Sequence, residues 1–222
     1  MTKVGAIIVA AGHSKRMGNI DKIFVPIGGK PLLAWSVDTC QRCDLVQEIV
    51  ITLNNNNFEL GQRLTKERAW SKATICLGGV RRQDSVKEGL RKLKDCDWVM
   101  IHDGDRPFLT LDLIQDGLEA VRETGAAIAA VPVKDTIKLA DPAGLITETP
   151  QRDRLWIAQT PQIFRFGMIT EAYKKVTNEV SDDATVVERL GYKVKLYLGT
   201  HNNIKVTTPE DLALAKIIAQ NI

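Results

Sequence analysis

Val4-Gly5-Ala6-Ile7-Ile8-Val9-Ala10 is an unbroken apolar run that stops at Ala11-Gly12. Apolar residues without polar alternation over this length read as a strand covered on both faces, as in a parallel sheet between two helix layers. The next 120 or so residues keep that rhythm. Pro31–Cys40 is predicted helical, with proline in its first turn and Leu32, Leu33, Trp35 and Val37 supplying apolar contacts. Glu48–Leu53, Ala73–Leu77, Trp98–His102 and Ala126–Val131 read as strands, and Phe58–Trp70, Asp84–Leu93 and Leu111–Glu123 as the helices between them. Regular alternation of this kind predicts a three-layer, Rossmann-like α/β fold with a mostly parallel sheet.

The rhythm then breaks. Thr136–Leu139 and Leu145–Thr149 flank Asp141-Pro142-Ala143-Gly144, a turn between two alternating runs. We expect a β-hairpin arm at about residues 134–152, projecting from a single domain that spans 1–222. Two strands alone are marginally stable, so such an arm needs a partner surface, and a second copy of the chain is the natural one. Phe166–Val176 and Asp182–Leu190 read as helices and Lys193–Leu198 as a strand. The last helix begins at Thr208-Pro209-Glu210-Asp211, with threonine as its cap and Asp211 reaching back; Leu212, Leu214, Ile217 and Ile218 form its expected apolar face.

Bulk composition narrows the function. With 222 residues, a net charge of +3 and 44% hydrophobic residues, the chain has a core but lacks the dense basic stripe of a nucleic-acid-coating protein. No apolar run approaches the ~20 residues that cross a bilayer, and Met1–Gly5 has no signal-peptide character, so a cytoplasmic protein is expected. Cys40 and Cys43 form a C-x-x-C pair without a second ligand pair, so with Cys76 and Cys96 they read as ordinary thiols.

Three loops carry chemistry. In the first, Ala10-Ala11-Gly12-His13-Ser14-Lys15-Arg16-Met17-Gly18, followed by Lys22, a strand ending in small residues leaves backbone N–H groups open to phosphate oxygens. Arg16 and Lys22 add the positive charge that a departing pyrophosphate needs. The segment is neither a P-loop nor a G-x-G-x-x-G fingerprint, and no acidic residue waits for the ribose of a dinucleotide. In the second loop, Gly78-Gly79-Val80-Arg81-Arg82-Gln83-Asp84-Ser85, small residues allow close contact with a flat base, and Ser85 offers a donor and an acceptor to its edge. Asp84 or Ser85 is also placed to cap the following helix. In the third, His102-Asp103-Gly104-Asp105-Arg106-Pro107, Asp103 stands where a carboxylate holds Mg²⁺ against a nucleotide phosphate, and Arg106 is a clamp for an incoming phosphate. His102 is expected to be a hydrogen-bonded strand-end residue rather than a base. All three loops follow strand carboxyl ends and should converge on one crevice.

The first loop strongly resembles the signature of sugar-phosphate nucleotidyltransferases, with Ser14 standing where glycine is usual. Adding Pro132–Lys138, Arg152–Gln162 and Asn203–Leu212, the chain resembles the 2-C-methyl-D-erythritol 4-phosphate cytidylyltransferases over nearly its whole length. That resemblance implies a Mg²⁺-assisted reaction of CTP with methylerythritol phosphate, carried out by homodimers with exchanged β-arms. It implies that Arg16 and Lys22 steady the transition state, and that Ala10, Ala11, Gly12, Gly79, Ser85, Asp103 and Gly104 contact CTP. It further implies Asp103 as metal ligand, and Arg106, Thr136, Arg152, Thr160, Ser181 and Lys205 as substrate-phosphate contacts. Arg152 and Lys205 are counted as catalytic, and Arg152 and Thr160 are expected to reach the partner's site.

The chain departs from its relatives at Gly104-Asp105, where Ala-Ala or Ala-Val is more usual, and at Asn202, where many carry an acid. Asp105 could recruit metal, pair with Arg106, or repel phosphate. A cytidylyltransferase for another polyol phosphate such as ribitol 5-phosphate, and a nucleotide-binding regulator without catalysis, are the competing readings. Ala10-Ala11-Gly12 and Leu155-Trp156-Ile157-Ala158 favour methylerythritol phosphate, and the joint presence of Arg16, Lys22, Asp103 and Lys205 favours catalysis.

Overall fold

A computed structural model describes residues 2–12, 21–94 and 96–222. β1 (Val4–Ala10) is followed by a 3₁₀ turn (Lys22–Phe24), the short pair β2 (Pro26–Ile27) and β3 (Lys30–Pro31), and α1 (Leu32–Arg42). Next come β4 (Val46–Leu53), α2 (Phe58–Glu67), β5 (Ala73–Leu77), α3 (Arg82–Lys92), β6 (Trp98–Asp103), α4 (Leu111–Thr124) and β7 (Ala126–Pro132). The arm supplies β8 (Leu139–Ala140) and β9 (Ile146–Glu148). Beyond it lie β10 (Trp156–Arg165), α5 (Phe166–Lys175), α6 (Asp183–Glu188), β11 (Lys195–Leu198) and α7 (Pro209–Ala219).

Seven strands form the main sheet, in the order β11-β7-β10-β6-β1-β4-β5, while β2 and β3 pair only with each other. Every neighbouring pair is parallel except the two that involve β10, which runs antiparallel to both β6 and β7. The two-residue period of a strand sorts β1 between two cores. Ala6 and Ile8 join Leu33 and Val37 of α1 and Ile114 of α4 on one face. Ile7 joins Val86 and Leu90 of α3 and Ile169 of α5 on the other. All three β1 residues are fully buried, as the unbroken apolar run requires.

Two features differ from the sequence expectation. The stretch after Arg152, which the sequence pattern leaves without an element, holds an internal strand, Trp156–Arg165. Its polar content hides it: Gln159, Thr160 and Gln162 are buried but hydrogen-bonded, Gln159 to the Thr200 carbonyl and Gln162 to the amides of Asp183 and Ala184. Pro161, which has no N–H to give a ladder, sits where pairing with β7 jumps from Ala158↔Ala130 to Gln162↔Ile128, a bulge that tolerates it. In α7, Leu214 and Ile217 face solvent at 46% and 58% exposure, contrary to expectation, and Ala215 is the buried residue. This helix docks at the periphery on a small cluster around Ile27 and Phe108, so only a narrow stripe through Leu212, Ala215 and Ile218 is covered. Its start is as expected: Thr208 accepts from the Asp211 amide, and Asp211 accepts from the amides of Thr207 and Thr208.

The arm forms its own two-stranded sheet, separate from the main one. Asp141 Oδ1 ties its turn by accepting from the amides of Ala143 and Leu145. Leu139, Leu145 and Ile146 stand 48%, 67% and 64% exposed, so nothing among the described residues covers this apolar surface. No described helix is long and apolar enough to cross a membrane.

Candidate active site

The ends of β1, β5 and β6 open into one cavity of about 450 Å³. Ala10, Ala11 and Gly12 line it from β1, Gly79 and Ser85 from the loop between β5 and α3, and Asp103 from β6; Lys22, Asp105 and Lys205 complete the polar wall. The convergence expected of the three loops is therefore present.

The double glycine has a steric cause. A Cβ at Gly78 would lie 2.5 Å from that of Ala11, and one at Gly79 would lie 2.3 Å from that of Asp84. The loop thus passes against β1 and the start of α3 at distances only glycine permits. Ser85 Oγ accepts from the Gly79 amide at 3.1 Å and fixes the loop from the helix side. Asp84 caps α3 by accepting from the Arg81 amide and guanidinium.

Arg82 is the residue that sequence reasoning left without a role. With Arg81 bound to the helix cap, Arg82 turns inward, its Nε 2.8 Å from Asp103 Oδ1 and its Nη2 2.8 Å from Asp183 Oδ2. Asp183 is fully buried and accepts a short hydrogen bond from Tyr173 Oη. The adjacent arginines after the double glycine were the available signal, but the sequence does not say which one turns inward.

Asp103 is the electrostatic centre. Its Oδ2 accepts from Lys205 Nζ at 2.9 Å, and Arg106 Nε lies 3.8 Å from the same oxygen. Burial works to raise the carboxyl, yet Arg82, Lys205 and Arg106 together hold it well below the usual carboxylate range. The same two carboxylates hold Arg82 well above its usual value, against the opposing effect of burial.

His102 is neutral. Its Nε2 faces the Arg106 carbonyl at 2.9 Å, which can only accept, so the proton is on Nε2. Nδ1 then accepts from Thr160 Oγ1 at 3.0 Å, and Thr160 Oγ1 accepts from the Asp103 amide at 3.1 Å. Burial pushes the imidazole down to about 4. Thr160 is 4% exposed, with its hydroxyl engaged in both directions inside its own chain. It braces Asp103 from behind.

Lys22 donates to Asp105 Oδ2 at 2.6 Å and to the Val206 carbonyl at 2.7 Å. Asp105 therefore pairs with Lys22 rather than with Arg106, whose Nη1 donates to the Asn203 carbonyl. Arg106 is mostly buried and lies outside the cavity lining, and burial lowers its pKa against the pull of Asp103 and Asp105. Gly104 is also outside the lining, packed where a Cβ would come 2.9 Å from Ala10 Cβ. Thr136 and Arg152 stand exposed on the arm, with Arg152 Nη1 on the Lys134 carbonyl, and Ser181 is exposed ahead of α6; none lines the cavity of its own chain. Arg16 and Ser14 lie outside the described residues.

Among the described residues, no group of three or more His, Cys, Asp or Glu forms a metal cage. The cavity does present the Asp103 carboxylate; that of Asp105, which also lines it, is taken by Lys22. Mg²⁺ usually takes one or two carboxylates and fills its other positions with phosphate oxygens and water, so this donor set fits an ion that arrives with a triphosphate.

A mostly parallel sheet whose strand ends carry the small residues Ala10 to Gly12, a glycine-lined loop and a carboxylate among cations fits a nucleotide-binding enzyme of the nucleotidyltransferase class. The family model for 2-C-methyl-D-erythritol 4-phosphate cytidylyltransferase (IspD) matches residues 4–221. The chain belongs to that family. A relative of that name from Dehalococcoides mccartyi is 48% identical over 217 residues, 97% of this chain and 96% of its own. Another from Alkaliphilus oremlandii is 40% identical, covering 98% and 95%. The solved structure of 4-diphosphocytidyl-2C-methyl-D-erythritol synthase from Anaerococcus prevotii superposes with a TM-score of 0.89 at 31% identity, covering 99% of this chain and 96% of that one.

The buried imidazole generates a pH prediction. Because the folded pKa of His102 lies below the unfolded value of about 6.5, the unfolded chain binds the extra proton between the two. Stability supplied by neutral His102 is full above pH 6.5 and falls as pH drops toward 4, by about 3 kcal/mol. In an NMR titration of the three histidines, one imidazole should remain neutral through pH 5. Three titrations near 6.5 would contradict the assignment.

Proposed function

We propose that this cytidylyltransferase moves CMP from CTP to the phosphate of 2-C-methyl-D-erythritol 4-phosphate by positioning and charge neutralisation, without a general base or covalent intermediate. The observation that carries the reading is Asp103 at the end of β6, paired with Arg82 at 2.8 Å and Lys205 at 2.9 Å inside the shared cavity. A phosphate acceptor is already ionised near neutral pH, so nothing needs to remove a proton, and neutral, hydrogen-bonded His102 is consistent with that. The acceptor oxygen attacks the α-phosphorus in line; the bond to the β-phosphate breaks, and pyrophosphate carries off the electron pair.

The amides of Ala10 to Gly12 and the ammonium of Lys22 receive the triphosphate, with Arg16 in the role that the family resemblance assigns to it. Gly79 and Ser85 receive the cytosine ring. Lys205 neutralises charge on the reacting phosphates from its seat on Asp103. Asp103 and the nucleotide's own oxygens would hold Mg²⁺, which when bound supplies Lewis-acid neutralisation of phosphate charge. Arg106, Thr160 and Ser181 remain candidates for the acceptor phosphate. So do Thr136 and Arg152, across a homodimer built through the arm. The bare apolar surface of Leu145 and Ile146, and the absence of Arg152 from the lining of its own chain's cavity, support that assembly. Free cysteines at all four positions suit a reducing, cytoplasmic compartment.

Pyrophosphate release with CTP and Mg²⁺ should appear with methylerythritol phosphate and not with ribitol 5-phosphate. Release only with the latter would overturn the acceptor, and silence with both would favour the regulator. Analytical ultracentrifugation should give a dimer for the native chain and a shift toward monomer for Leu145→Lys with Ile146→Lys; a monomeric native chain would remove the arm's role.

A further inference from the structure

Asp105 closes a ring of three interactions. Its Oδ2 accepts from Lys22 Nζ at 2.6 Å, its backbone carbonyl accepts from the Val206 amide at 2.9 Å, and the Val206 carbonyl accepts from Lys22 Nζ at 2.7 Å. The ring joins the turn after β6, the 3₁₀ turn at Lys22 and the segment that carries Lys205. Both charged side chains are largely covered, at 12% and 14% exposure, and both line the cavity. Among the described residues Asp105 Oδ1 is buried without a hydrogen-bond partner, and Lys22 is the side chain that pairs with the carboxylate.

We propose that Asp105 is a positioning residue, holding the Lys22 ammonium against the cavity wall so that its remaining N–H serves the triphosphate without the lysine leaving the ring. An ammonium has three donors, and two are committed here. Pulling Lys22 away would strand a buried carboxylate whose other oxygen already lacks a partner, so the ring favours a lysine that stays. A four-carbon side chain otherwise loses rotamer freedom when it settles on the reacting phosphate; a lysine already seated has lost it beforehand.

The carboxylate also offsets part of the ammonium's attraction for phosphate. That offset acts alike on bound CTP and on the transition state, so it appears in KM rather than in kcat. Asp105 thus exchanges some affinity for placement, and this sets its signature apart from that of a residue that only supports the fold.

The inference rests on the reading of Lys22 as a group that acts on the triphosphate, and the test separates the two. In steady-state pyrophosphate release by the full-length enzyme, Asp105→Ala should lower kcat about tenfold while KM for CTP stays level or falls. Asp105→Asn keeps the acceptor oxygen without the charge and should recover most of kcat with the lower KM. Adding Lys22→Ala to Asp105→Ala should cost less than Lys22→Ala does in the native background, because the two residues act as a unit. Native or raised kcat in Asp105→Ala, with Lys22→Ala still impaired, would overturn the positioning role and leave that of Lys22 intact. Unimpaired Lys22→Ala would overturn the reading of Lys22 itself. Equal losses in the Ala and Asn variants, matched by equal drops in Tm, would reduce Asp105 to a structural residue.

Discussion

The site depends on one carboxylate held among cations. Asp103 ends the middle strand of the sheet, almost fully buried, with Arg82, Lys205 and Arg106 drawn around it. Each cation comes from a different stretch of chain: the start of α3, the turn after β6 and the segment before α7. Left unpaired, that carboxylate would carry a large desolvation cost, and three buried or half-buried cations would repel one another. In the cavity wall Lys22, Arg81, Arg82 and Lys205 outnumber the carboxylates of Asp103 and Asp105, and an excess of positive charge is what a triphosphate requires.

The sheet makes this possible by bringing the carboxyl ends of β1, β5 and β6 to one edge. The antiparallel strand β10 completes the support from the other side. Its Thr160 hydroxyl receives the Asp103 amide and donates to His102, and the Thr160 carbonyl receives Asn203 Nδ2 at 2.7 Å. A buried network of hydrogen bonds fixes geometry more tightly than apolar packing would. Behind Arg82, Asp183 and Tyr173 continue the network into α5 and α6. The reactive wall therefore rests on rigid elements rather than on loops alone.

How much of this the sequence carried depends on whether a residue's chemistry is local. The β1 run, the glycines of the second loop and Asp103 are legible because strand burial, close approach and a strand-end acid leave marks within a few residues. The Thr208 cap is legible for the same reason. Partners across the fold are not. Nothing near Arg82 distinguishes it from Arg81, and nothing near Asp105 points to Lys22, which is 83 positions away. Thr160 is picked out by the family resemblance, but its links to His102 and the Asp103 amide, 58 and 57 positions away, are not. The strand β10 escaped because its buried glutamines and Pro161 imitate a loop; their partners, in α6 and near Thr200, become visible only in three dimensions. The exposure of Leu214 and Ile217 was hidden too, since periodicity reports a helix's apolar content and not how wide a surface awaits it.

The account turns on Asp103 as the group that organises cations and receives the metal-bound nucleotide. The most direct measurement is pyrophosphate release across a Mg²⁺ titration, at saturating CTP and acceptor, for the native enzyme and Asp103→Asn, with cooperative unfolding checked for both. The account predicts a fall of about a hundredfold or more at every Mg²⁺ concentration in a variant that still unfolds cooperatively, together with a higher Mg²⁺ requirement. Activity within a few-fold of native, with an unchanged Mg²⁺ dependence, would contradict it.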